Sequence, residues 1–76
     1  DRRRGMERFL RYSLEKSKKI RVVWMDGGQL RQATAAVLAY DGGNVMMALS
    51  GKKAPLTVAL ADILSCDYAR GDHGEE

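Results

Sequence analysis

"VLAYDGGNVMMAL", residues 37–49, consists of two apolar runs separated by Asp41-Gly42-Gly43-Asn44. Apolar runs around a glycine-rich turn form the pattern of a β-hairpin. The overlapping stretch "ATAAVLA", Ala33 to Ala39, is alanine-rich, and alanine favours helix. Three features tip residues 30–40 towards strand. The segment lies between two Gly-Gly turns, its neighbours on both sides read as strand, and its small side chains allow the hard bend that a small barrel requires. Strict alternation would place Leu30, Gln32, Thr34, Ala36, Leu38 and Tyr40 on one face, with Arg31, Ala33, Ala35, Val37 and Ala39 on the other.

Upstream, "IRVVWM" (20–25) is β-branched and aromatic, with Ile20, Val22 and Trp24 on one face, and Asp26-Gly27-Gly28-Gln29 supplies the turn. Before it, residues 6–17 have helical periodicity. Met6, Phe9, Leu10 and Leu14 share an apolar face with Ser13 and Ser17, while Arg4, Arg8, Arg11, Glu15 and Lys18 line the opposite one. Glu7–Arg11 and Glu15–Lys19 have favourable i,i+4 spacing. Downstream, "NVMMALS" (44–50), "LTVAL" (56–60) and "ILSCDYA" (63–69) read as three more strands, joined by the basic loop Gly51–Pro55 and the corner Ala61-Asp62. A helix and then a meander of five short strands predicts an α+β fold, with the bent sheet closing into a small barrel and the helix over one open end. The domain spans 6–69. Residues 1–5 read as a disordered basic N-terminus, and 70–76 as a disordered acidic tail.

Composition narrows the classes. Seventy-six residues make at most one domain, with a limited core. The single cysteine, Cys66, excludes an internal disulfide, and one histidine leaves no ligand cluster for zinc. No apolar run approaches the roughly 20 residues of a membrane-spanning helix, and the charged N-terminus lacks the apolar core of a secretion signal. With a lone cysteine, this implies a reducing, cytoplasmic setting without membrane attachment. The net charge of +3 is unevenly spread: residues 1–31 carry ten Lys/Arg against four Asp/Glu, and residues 32–76 carry three against six. A basic head and an acidic tail suggest electrostatic roles at opposite ends.

Several residues carry a resemblance to the Sm-like family of Sm and LSm proteins and the bacterial RNA chaperone Hfq. Gly28-Gln29-Leu30 looks like the glycine that opens the family's second strand. Tyr40-Asp41 with the apolar run Val45–Leu49 is similar to its aspartate at the end of that strand, followed by an apolar third strand. Ala61-Asp62-Ile63 stands at the family's turn from strand 4 to strand 5. The resemblance implies an SH3-like small barrel, RNA contact and assembly into rings. The chain departs from the pattern at Ala35, where the family has glycine, and in the longer Gly28-to-Asp41 spacing. It departs again at Ala61-Asp62, where Hfq has a Lys-His pair for uridine. Arg70-Gly71 is similar to the Arg-Gly of Sm proteins but follows the fifth strand. "VVWMDGGQLRQATAAV" and "VALADIL" also resemble WYL domains of bacterial regulators, without their Trp-Tyr-Leu run, and small YolD-like barrels share the layout.

The strongest candidate site is cationic: Arg4, Arg8, Arg11 and Lys18, joined by Lys52 and Lys53, with Arg31 as a further member. Such a face contacts nucleic-acid phosphates without reading sequence, although any surface helix carries charge opposite its apolar stripe. Tyr40, beside the turn, is the ring expected to be exposed for base stacking, whereas Trp24 reads as core and Phe9 as helix-to-sheet packing. Cys66 reads as a buried inert thiol. His73 has no fixed partner for acid–base work, Asp41 and Asp62 fit turn and corner bonding, and Arg70-Gly71-Asp72 reads as a chance tripeptide. With no nucleophile–base pair, metal set or cofactor motif, the expected class is a binding module. Its partner is RNA or another nucleic acid, with self-association expected. The alternative is a WYL-like regulatory or protein-interaction module that binds no nucleic acid.

Overall fold

The alanine-rich stretch is strand: β2 runs Gln29–Tyr40 in a computed structural model that describes residues 2–72. It follows helix α1 (Arg2–Lys16) and strand β1 (Lys19–Asp26). After it come β3 (Asn44–Leu49), β4 (Leu56–Ala59), a 3₁₀ turn (Leu60–Asp62) and β5 (Ile63–Tyr68). His73 and the rest of the expected acidic tail lie outside the described residues.

α1 begins at Arg2, four residues ahead of the apolar periodicity. Its buried line is Met6, Leu10 and Ser13, with Phe9 and Tyr12 half-buried beside it. Leu14, expected on this line, is 38% exposed. It sits about 100° further round the helix than Ser13, off the docked face. The helix stops in a Schellman motif, with Ser17 left-handed at φ 55° and the Lys18 amide donating to the Ser13 carbonyl. Lys19 already belongs to β1, so the expected Glu15–Lys19 helical pair has no helix to form on.

The five strands form one antiparallel sheet in the order β4-β3-β2-β1-β5. Gly27 and Gly28 both take positive φ (57° and 87°), which makes the two-residue turn that matches strand twist in a hairpin. Alternation on β1 buries Ile20, Val22 and Trp24 on one face, in the core. On β2 strict alternation fails. The register passes from Val37↔Met47 to Ala39↔Met46, so Leu38 is the extra residue of a bulge. Leu38 and Ala39 therefore both face outward, and Tyr40 turns in against the core. A second bulge leaves Leu64 unpaired between Val23↔Ser65 and Trp24↔Ile63.

The bulges bend the sheet, and the chain's connectivity requires that bend. β4 and β5 are the two edges, about 19 Å apart across four flat strand spacings. The link from Ala59 to Ile63 reaches at most about 14 Å even when extended. The sheet must therefore curl to bring its edges towards each other. Trp24–Asp26 of β1, Gly27 of its turn and Leu56–Ala59 of β4 line one small cavity of about 140 Å³ together with Asp62. β4 and β5 still form no ladder with each other among the described residues, so the curl is left open.

Candidate nucleic-acid interface

The same geometry that buries Met6, Leu10 and Ser13 turns Arg4, Arg8 and Arg11 to solvent. The three arginines follow one line at steps of four and three residues, about 10 Å from first to last along the axis. They line a groove of about 670 Å³ with Gly5, Glu7, Tyr12, Glu15 and Lys16. The Arg8 guanidinium lies 5.3 Å from the centre of the Phe9 ring, which holds it against the helix by a cation–π contact. Phe9 and Tyr12 each meet Tyr68 of β5 edge-to-face, at 4.8 and 5.3 Å between ring centres. This aromatic cluster fixes the helix on the sheet below the arginine line.

Not every predicted cation joins that line. Lys18 stands beyond the helix end, in the joint to β1. Lys52 and Lys53 are exposed in the β3–β4 loop, at the far end of β3 from the Asp41–Gly43 turn. α1 runs from Glu7 beside Tyr40 to Ser13 beside Val37, so its arginine end lies towards that turn. A six-residue strand, about 20 Å long, separates the turn from the lysine loop. Lys18 falls closer to the lysines, because its neighbour Lys19 is in line with Ala36 and Ala48 across the sheet. Arg31 is 3.4 Å from Asp26 at the exposed β1–β2 hairpin tip.

Tyr40 is half-buried rather than free to stack. Its ring packs on the core, and its hydroxyl donates to Glu7 Oε2 of the helix. Its outer side lines a groove of about 360 Å³ with Ala39, Asp41, Asn44, Met46 and Thr57. Trp24 is core at 5% exposure. Asp41 Oδ1 accepts the amides of Gly43 (2.9 Å) and Asn44 (2.8 Å), and these bonds hold its carboxyl below the usual carboxylate range. Burial pushes the Cys66 thiol up to about 12, so it stays protonated at neutral pH.

Five members of the helical groove, Gly5, Glu7, Tyr12, Glu15 and Lys16, were not in the predicted set, and two of them bear on its chemistry. Lys16 takes the place that helical stepping assigned to Lys18, because the helix ends before residue 18. Tyr12 lines the groove while its hydroxyl donates to Asp72 Oδ2 at 2.8 Å. Sixty residues separate that pair, so no local pattern could have signalled it.

Together these features define a small α+β domain with a cationic helical groove. Among the described residues no group of three or more His, Cys, Asp or Glu is arranged to hold a metal, and no helix is long and apolar enough to cross a membrane. Compared with protein-family models, curated proteins and solved structures, the chain matches none.

Proposed function

We propose that this chain is a small Sm-like binding module that contacts RNA or another nucleic acid through its basic helix. The observation that carries this reading is the alignment of Arg4, Arg8 and Arg11 along one solvent-facing groove of α1. Guanidinium groups on one line neutralise successive phosphates and release their counterions, which gives affinity without base reading. The shortage of free aromatic rings supports backbone contact over base stacking, since Tyr40 and Trp24 are engaged in packing. The curled sheet with a helix over it supports an Sm-like small barrel left open at the β4–β5 seam.

The test is binding of a fluorescent single-stranded RNA of mixed sequence, measured by anisotropy at several salt concentrations. Affinity is expected to fall linearly on a log–log plot against salt, and Arg8→Glu with Arg11→Glu to remove binding while the chain stays folded. Salt-insensitive binding, or none at low ionic strength, overturns the proposal.

One feature favours the second reading, a WYL-like regulatory or protein-interaction module. Met46 (39% exposed) lines the groove at Tyr40 and Leu38 (49%) is exposed on the neighbouring bulge of β2, and exposed apolar side chains suit a protein partner. That reading predicts no nucleic-acid affinity, and loss of a captured native partner on Leu38→Asp.

A further inference from the structure

The C-terminal end of β5 folds back onto the helix. Gly71 takes φ 87°, and the Asp72 amide donates to the Ala69 carbonyl at 2.9 Å, closing a turn. That turn carries the Asp72 carboxylate to the Tyr12 hydroxyl, 2.8 Å away. Tyr12 is held at its ring by Tyr68, so its hydroxyl occupies a set position at the margin of the arginine groove.

The charges around this contact give it a consequence for binding. Four cations line the groove, Arg4, Arg8, Arg11 and Lys16, against two carboxylates, Glu7 and Glu15. The lining therefore has a net charge of +2, and Asp72 at its margin halves it. A carboxylate oxygen taking a tyrosine hydroxyl at a cationic groove has the acceptor chemistry of a phosphate oxygen.

We propose that Tyr12 is a phosphate-contacting residue of this groove, and that Asp72 is an internal anion that holds its hydroxyl in the free protein and yields it when a polyanion binds. The inference rests on the nucleic-acid reading above. Glu7 is committed to the Tyr40 hydroxyl, and Asp72 is set against the groove's Tyr12 hydroxyl. Removing its charge raises the groove's attraction for phosphate. Keeping the Tyr12 hydroxyl preserves the contact that phosphate would inherit.

The test uses the full chain and the same labelled single-stranded RNA at low salt. Asp72→Asn, which keeps the shape but not the charge, is expected to tighten binding about threefold, the effect of one unit charge roughly 7 Å away in water. The gain should shrink at higher salt. In the Asp72→Asn background, Tyr12→Phe is expected to weaken binding about fivefold, the size of one net hydrogen bond, with the circular dichroism spectrum unchanged. If the wild-type chain binds and Asp72→Asn binds no tighter, the internal-anion inference falls while the nucleic-acid reading stands. If Tyr12→Phe in that background has no effect, Tyr12 is not a phosphate contact. If neither wild type nor Asp72→Asn binds, the nucleic-acid reading fails and this inference fails with it.

Discussion

Ser13 is a fully buried polar side chain that ties helix to sheet. Its hydroxyl donates to the Lys18 carbonyl at the helix end and accepts the Val37 amide, 2.9 Å away, just before the bulge in β2. Ser13→Ala leaves that amide without its partner in a buried place, so a loss of about 1–3 kcal/mol in unfolding free energy is expected from urea denaturation. Asp41 acts just past the same end of β2, where two amides favour its ionised form. A carboxylate held below its ordinary range stabilises the folded chain while it is charged. That contribution is complete above its unfolded pKa of about 4 and is lost as the pH falls through the lower folded value. The melting-temperature gap between the wild type and Asp41→Ala should therefore narrow on acidification from pH 6 to pH 2. A gap that stays constant or widens would contradict the turn assignment.

At the level of elements, the junction between α1 and β1 is the place where local geometry departs from local preference. Ser17 sits in the left-handed region that glycine favours at the end of a helix. Ser17→Gly relieves the contact between its Cβ and the neighbouring carbonyl. It is expected to raise stability by about 0.5–1 kcal/mol, read as a higher melting temperature. The strands themselves were legible from residue type and period, and even the contested segment 30–40 is strand. The bulge at Leu38 was not legible. Nothing in "AVLAY" marks an extra residue, because the bulge arises from the partner strand's register at Met46 and Met47. The same cause moved Tyr40 from its expected exposed position to the helix interface. In α1 the arginine line was readable from spacing alone, while the replacement of Lys18 by Lys16 depended on where the helix stops.

For the whole molecule, the open question posed by the fold is what the two sheet edges do. Among the described residues β4 and β5 end the sheet without pairing with each other, and sheet edges are templates for another chain. Under the Sm-like proposal, copies join edge to edge through main-chain hydrogen bonds, which salt does not screen as it screens ion pairs. Light scattering after size exclusion at two salt concentrations is expected to give a ring-sized mass at both. A monomer at both would remove the ring assembly and shift weight to the interaction module. The charge pattern also belongs to this scale. The predicted cations resolve into an arginine line on the helix and a lysine group at the other end of β3. The acidic end returns to the helix through Asp72.

The sequence by itself determined the helix, the five strands, the glycine turns and the cationic stripe. Each of these depends on residues close together in the chain: a period of 3.6 or 2, a pair of glycines, a β-branched run. Tertiary structure alone decided which residue bulges from β2, how far the curl brings β4 round, and that Ser13 would take up Val37 and Tyr12 would take up Asp72. These are contacts between groups 24 and 60 residues apart, or between strands whose register is mutual. Their geometry exists only once the sheet has bent and the helix has docked. A hydrogen bond of that kind leaves no trace in the periodicity of either partner.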